Sequence, residues 1–219
     1  APPVTCPTVS GVLAQNITFE SVDISWTEVA EASGYNWYIF ENNADVSTAE
    51  PLFAGTTTTT TVSISGLDGN TDYDLYVKAD CETSMSVFYS TKVDFKTGIA
   101  PVSAPWIEEF VTTTTPLGWT TTGWTITSTN IRVPALDGNY IYKNLWGSNS
   151  TGTISTISVM NIEEDYELRF NYLLADYSSY PSQPEAGALN IEVKISTDFG
   201  ATYTTLETLT NDGVTEGWQ

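Results

Sequence analysis

Histidine is absent from the 219-residue chain. That removes Ser-His-Asp and Cys-His catalysis, histidine acid–base chemistry and most zinc sites. Basic residues are scarce: seven Lys and Arg stand against 27 Asp and Glu, a net charge of −20. Phosphates would be repelled, which argues against nucleic acid and anionic membranes as direct partners. Cations are favoured, and Ca2+ is the one that carboxylate and carbonyl oxygens hold best. There are only two cysteines, Cys6 and Cys81. The residues alone leave open two separate thiols in a reducing compartment or one disulfide in an oxidising one. No apolar run approaches the ~20 residues that cross a bilayer, so no membrane insertion is expected. The chain starts at Ala1 rather than Met, which reads as a processed or excised end, consistent with secretion or a fragment.

The strong helix formers Lys, Arg, Met and Gln are few, and no long stretch keeps an apolar i, i+3, i+4, i+7 pattern. Threonine is abundant, at 35 residues, with unbroken runs at Thr56 to Thr61, Thr112 to Thr115 and Thr120 to Thr122. Thr is β-branched and strand-favouring. Period-2 alternation recurs along the chain, so the fold class is all-β. Val22-x-Ile24-x-Trp26, Tyr35-x-Trp37-x-Ile39, Val62-x-Ile64, Tyr73-x-Leu75-x-Val77-x-Ala79 and Val93-x-Phe95 each place apolar residues on one strand face. Turn signals fall at Ser33-Gly34, Asn42-Asn43, Asp68-Gly69-Asn70 and Glu82 to Ser84. About seven short strands in some 95 residues suit an immunoglobulin-like sandwich.

Thr5-Cys6-Pro7, Ser25-Trp26, Tyr35-x-Trp37, Gly66-Leu67-x-x-x-Thr71-x-Tyr73 and Val77-x-Ala79-x-Cys81 together resemble a fibronectin type III domain over residues 1–98. The resemblance makes Trp26 the strand-B core residue and Tyr73 the tyrosine corner. It also implies a Cys6–Cys81 bond, as in versions from secreted bacterial surface proteins. Gly98 to Pro105 is uncharged and carries Gly, Pro, Ser and Ala, so residues 99–105 are expected to be a short, stiff linker.

The remaining residues, 106–219, open with Trp106-Ile107-Glu108-Glu109-Phe110, then Pro116-Leu117-Gly118-Trp119 and Gly123-Trp124-Thr125-Ile126. Strands are expected at Asn139 to Trp146, Ile154 to Ile162, Tyr166 to Leu174, Leu189 to Ile195 and Tyr203 to Leu209. Ser196-x-Asp198-x-Gly200-x-Thr202-Tyr203 is similar to an Asp-box, a hairpin-stabilising turn. This order resembles the MAM-like jelly-roll module called the cleaved-adhesin domain in gingipain haemagglutinin regions and other type IX-secreted bacterial surface proteins. Such modules continue for two or three strands after the position of Glu216-Gly217-Trp218. A jelly-roll sandwich incomplete at its C-terminus is therefore expected, its open edge covered by the remainder of the same polypeptide or by a neighbouring copy.

The carboxylate pairs do not look catalytic. Glu108 and Glu109 point to opposite strand faces, Glu163 to Asp165 sit at a turn, and Asp72 and Asp74 share an outward, solvated face. The jelly-roll resemblance implies a structural Ca2+ held by Glu108 and Asp176, with Asp137 and Asn139 as further ligands; the plain alternative is turn-forming Asp and Asn without metal. Trp26 and Trp37 read as core, and Trp106, Trp119 and Trp124 as core or half-buried framework. Tyr177 and Tyr180, in the polar stretch Asp176 to Gly187, and Trp146, beside the Gly147 to Gly152 loop, are candidate glycan-stacking rings. The contiguous threonine runs alternate faces and so do not form an ice-binding array. The expected function is a non-catalytic extracellular adhesion or spacer pair of a larger secreted or surface protein, meeting a glycan or a host or matrix surface. The alternatives are a carbohydrate-binding appendage of a secreted hydrolase and a repeat unit of a surface filament.

Overall fold

The computed structural model describes residues 6–81, 84–86, 88–128, 138–145, 151–176, 184–198, 200–211 and 218–219. The chain divides into two compact units, Ala1–Ala100 and Pro101–Gln219. Strands are the only regular elements among the described residues, so the protein is all-β.

In the first unit, β1 (Leu13–Gln15) and β2 (Ser21–Ser25) pair antiparallel, followed by β3 (Ala32–Glu41), β4 (Phe53–Thr57) and β5 (Thr61–Ser65). Then come β6 (Asp72–Cys81), β7 (Ser84–Met85) and β8 (Val93–Lys96). One sheet has the order β1-β2-β5; the other has β4-β3-β6, with β7 and β8 both on β6. Every pairing is antiparallel. This is the two-sheet sandwich of the fibronectin type III and immunoglobulin-like folds.

The alternation places the core. Val22 and Ile24 from one sheet meet Tyr35, Ile39, Tyr73, Leu75 and Val77 from the other, all of them buried. Each such side chain contributes roughly 1.5–3 kcal/mol by leaving water. Trp26 is buried against Tyr35, ring edge to face, with centroids 5.3 Å apart. Tyr73 forms the corner that the sequence suggests: its hydroxyl accepts a hydrogen bond of 2.9 Å from the Asp68 backbone N–H and fixes the turn before β6. Trp37 is only half-buried. Its ring lies over Gly55, where a Cβ would come within 2.5 Å of it, so the neighbouring strand must carry glycine there.

Part of the stretch expected as a short, stiff linker, 99–105, is in a strand pair. Val102–Ser103 (β9) pairs in parallel with Val159–Met160 (β14), and the Ala104 N–H donates to the Met160 carbonyl at 2.9 Å. The uncharged stretch is thus partly used as an edge of the second unit. That unit further contains β10 (Thr120–Thr122) on β13 (Thr153–Ser155), β11 (Thr125–Thr127) on β12 (Tyr140–Tyr142), and the hairpin β15 (Asn190–Ile195) with β16 (Thr204–Thr210). The long strand expected over Ile154 to Ile162 is broken into β13 and β14, and Asn161 takes a positive φ of 59° just beyond.

Tyr166 to Leu174 departs most from expectation. It belongs to no sheet. Among the described residues, only Tyr172 of this segment exchanges a pair of backbone hydrogen bonds, donating to the Gln219 carbonyl at 3.2 Å and accepting from its N–H at 2.9 Å. Alternation prepares a strand, but a strand exists only where a neighbour supplies the ladder. The buried apolar set of this unit is small, namely Ile126, Tyr140, Ile157 and Leu174 among the described residues.

Candidate binding surface

The outer face of the β4-β3-β6 sheet is covered by aromatic rings rather than left to water. Tyr38 and Phe40 point outward from β3, alternating with the inward residues Trp37 and Ile39, and Tyr76 points outward from β6. Tyr89 closes the group. Its ring lies 5.3 Å from those of Tyr38 and Tyr76 and 6.2 Å from that of Phe40, mostly edge to face. Phe40 is consequently 1 % exposed although it faces away from the core. Burial raises the phenol pKa of both Tyr38 and Tyr76 above the ordinary value.

A bulge delivers Tyr89. The Ser86 N–H bonds to the Ala79 carbonyl at 2.8 Å and the Ser90 N–H to the Val77 carbonyl at 2.9 Å. Between those two bonds β6 advances from Ala79 to Val77 while the returning strand advances from Ser86 to Ser90. The Ser90 hydroxyl repairs the ladder by accepting from the Val77 N–H at 3.0 Å. The returning strand thus spends two more residues than β6 between the bonds, a β-bulge, and β-bulges re-aim side chains. Phe88 stands on the bulge 72 % exposed.

Charge is gathered on the same face. Lys78, Lys92 and Lys96 are the only basic residues of the first hundred. The Lys78 ammonium sits 3.9 Å above the Tyr89 ring centre. Lys92 bridges Asp94 at 2.5 Å and Asp74 at 3.4 Å, and Lys96 pairs with Asp72 at 2.7 Å. Hydrogen bonding to Asp94 raises the Lys92 pKa, and Lys92 in turn lowers that of Asp94. Asp74 corrects the expectation of a solvated outward residue: it is 1 % exposed, with its carboxylate accepting from the Asn43 backbone N–H at 2.9 Å. The Asn42-Asn43 turn and Lys92 cover it, which a face assignment alone does not reveal.

The sequence reading passed over this surface. Its only signal is that Tyr38-x-Phe40 and Tyr76 interleave with inward rows, which sets aromatic rings on the outward faces of β3 and β6.

The residues singled out from sequence are distributed as follows. Cys6 and Cys81 are bonded, with Cα atoms 5.8 Å apart. Glu108 and Asn139 both bond the backbone of one residue, Phe110: the Glu108 carboxylate accepts from its N–H at 2.8 Å, and the Asn139 side-chain amide donates to its carbonyl at 2.5 Å. Phe110 holds a positive φ of 47°, costly for a bulky residue, and its ring packs edge-on against Trp119 at 5.4 Å. Asp176 is half-buried. Among the described residues no three Asp, Glu or Cys side chains converge as a metal site would require. Asp137, Trp146, Tyr177 and Tyr180 lie outside the described residues. Trp119 and Trp124 are half-buried, and Trp106 is 37 % exposed.

No family model matches the chain. No curated protein matches it. Solved structures similar to it include the FN1–FN3 domains of chicken CNTN1, at 16% identity and a TM-score of 0.37. That alignment covers 42% of this chain and 31% of the other. The fn3 domain of the human collagen alpha-1(XX) chain aligns at 17% identity and a TM-score of 0.38, over 46% of this chain and 93% of its own. The domain called FN3tt aligns at 19% identity and a TM-score of 0.38, over 44% of this chain and all of its own.

Proposed function

We propose that the chain is a non-catalytic adhesion module pair of a larger extracellular protein, in which the first unit makes contact through its outer sheet face. One observation carries the reading: the outer-face cluster of the Tyr38, Tyr76 and Tyr89 rings, with Phe88, next in sequence to Tyr89, 72 % exposed. Aromatic rings set in a rigid sheet supply contact area at little entropic cost, and Tyr and Phe of this kind anchor interfaces. Carbohydrate is the first ligand class to test, because ring faces stack on pyranoses and phenols supply hydrogen bonds. The Cys6–Cys81 bond suits an oxidising compartment, which supports secretion. A glycan array and matrix-protein binding assay on the full chain tests the reading. Binding that falls at least tenfold in Phe88→Ala and Tyr89→Ala, with unchanged melting, supports it. Loss confined to Tyr177→Ala, Tyr180→Ala or Trp146→Ala moves the contact to the second unit, and no binding to any surface leaves a spacer.

We further propose a stabilising Ca2+ in the second unit. The donor chemistry fits in part: the Glu108 carboxylate and the Asn139 amide both bond the backbone of Phe110, which leaves a Glu108 and an Asn139 side-chain oxygen as ligands, and Asp176 and Asp137 would complete the set. Folded-state binding raises stability by about 2.7 kcal/mol at a hundredfold excess over Kd. The second unit's melting transition should therefore rise in Ca2+ relative to EDTA and cease to do so in Glu108→Ala. Identical melts in the two conditions refute the site.

A further inference from the structure

Resting on the reading that the outer sheet face of the first unit makes contact, we propose that this face holds a single terminal pyranose of an uncharged glycan, stacked on Tyr38 beside Ala54, rather than the flat surface of a polymer. Ring geometry chooses between the two. A flat polymer lies on several rings with parallel planes, because its successive sugars share one face. Here the rings cross. Tyr89 stands at 88° to Tyr38, 90° to Phe40 and 58° to Tyr76, and Phe40 stands at 84° to Tyr76. Only Tyr38 and Phe40 come near parallel, at 29°, which leaves Tyr38 and Tyr76 well off parallel. Phe40 is 1 % exposed, so its face is not on offer. The cluster therefore gives no platform of two rings, and one ring takes one sugar.

Strand register builds the place for it. Tyr38 is paired with Ala54 on β4 and with Tyr76 on β6. Ala54 is exposed and carries only a methyl group, so β4 raises no long side chain against that flank of Tyr38. The next outward row along the strands is Thr56, Asn36 and Lys78, again in register across β4, β3 and β6. Two residues of strand separate the rows by about 7 Å. A pyranose whose apolar face lies on Tyr38 thus brings its hydroxyls to the Asn36 amide and the Thr56 hydroxyl, which offer both donors and acceptors. An apolar floor with a few polar groups at its margin is the composition of small-ligand sites. Tyr38 and Asn36 share β3, which is hydrogen-bonded on both sides, so their spacing is fixed before a ligand arrives.

Charge selects an uncharged sugar. The first hundred residues hold 13 Asp and Glu against three Lys. Lys92 is paired with Asp94 and Asp74, Lys96 with Asp72, and the Lys78 ammonium lies over the Tyr89 ring. A sulfated or carboxylated glycan meets net repulsion from such a unit, whereas neutral hydroxyls match a face whose ammonium groups already have partners.

The test uses the full chain and, as probes, the methyl glycosides of glucose, galactose, mannose and N-acetylglucosamine, followed by amide chemical shifts. At least one should saturate in the millimolar range, with shifts centred on Asn36, Tyr38 and Ala54. Ala54→Arg fills the space beside Tyr38 without removing a ring. It should weaken binding at least about tenfold with melting unchanged, because Ala54 is exposed. The uronic acid matching the best probe should bind more weakly than the neutral sugar. The inference is overturned if no methyl glycoside titrates, if titration survives Ala54→Arg, or if the uronic acid binds equally well. In those cases the contact face itself stands if cellulose, chitin or a matrix protein is still held through Phe88 and Tyr89, and it falls too if none is held.

Discussion

Asp198 shows how much structure one exposed side chain can hold. Its carboxylate accepts from the Ser196 hydroxyl at 2.7 Å, the Thr202 N–H at 2.8 Å and the Thr202 hydroxyl at 2.5 Å. The Ser196 hydroxyl in turn accepts from the Gly200 N–H at 2.7 Å, and Gly200 takes a φ of 88° that only glycine adopts without strain. Donors aimed at the ionised form, led by the Thr202 hydroxyl, lower the Asp198 pKa from 3.8 to about 2. A depressed folded-state pKa contributes stability that is present above the unfolded value and lost as pH falls through the folded one. The turn should therefore stay closed down to about pH 4 and open between about pH 4 and pH 2. Amide exchange at Thr202 checks this: protection should fall across that window in the native chain and already be low at neutral pH in Asp198→Ala. Protection that is flat from pH 5 to pH 2 would contradict the linkage. The Ser-x-Asp-x-Gly-x-Thr spacing made this network legible in the sequence because every bond in it is local. Asp74 is the opposite case. Its neighbours in sequence give it a face, but its burial depends on Asn43 and Lys92, contributed from a distant turn and an adjoining strand.

At the level of strands, the alternating rows at Val22 to Trp26, Tyr35 to Ile39 and Tyr73 to Ala79 translate directly into β2, β3 and β6, because a sandwich buries one face of each strand and period-2 patterning records that choice. The outer-face cluster was not legible for the same reason. Patterning says that Tyr38, Phe40 and Tyr76 point away from the core, and is silent on the bulge that lays Tyr89 across them. Residues 166–174 teach a further lesson. Their alternation is as regular as that of β6, yet they form no strand among the described residues, and Tyr166, Leu168 and Phe170 meet solvent. Periodicity reports the capacity to pair, while pairing itself is a property of whichever strand stands alongside. The threonine-rich segments behave similarly: Thr120–Thr122 and Thr125–Thr127 became short strands, whereas Thr112 to Thr115 stayed exposed loop. β-Propensity without a buried face does not make a strand.

For the whole molecule, the two units should differ sharply in what holds them. The first has a continuous core shared by both sheets and a covalent tie; the described part of the second has four buried apolar residues and many exposed ones. The Cys6–Cys81 bond closes a loop of 75 residues, joining the start of the chain to the end of β6. In the chain-entropy model such a closure removes about 4 kcal/mol of freedom from the unfolded chain. Thiol titration of the denatured, unreduced protein should find no free sulfhydryl. Reduction, or the Cys6→Ser/Cys81→Ser pair, should then lower the melting temperature of the first unit by roughly 4–8 °C for each kcal/mol lost. The second unit contains no cysteine, so its transition should not respond to reductant at all. A calorimetric scan with and without reductant separates the two, because only one transition should move. If both shift together, the units do not melt independently. If neither shifts, the bond contributes nothing to the folded chain, and the case it makes for an oxidising compartment falls with it.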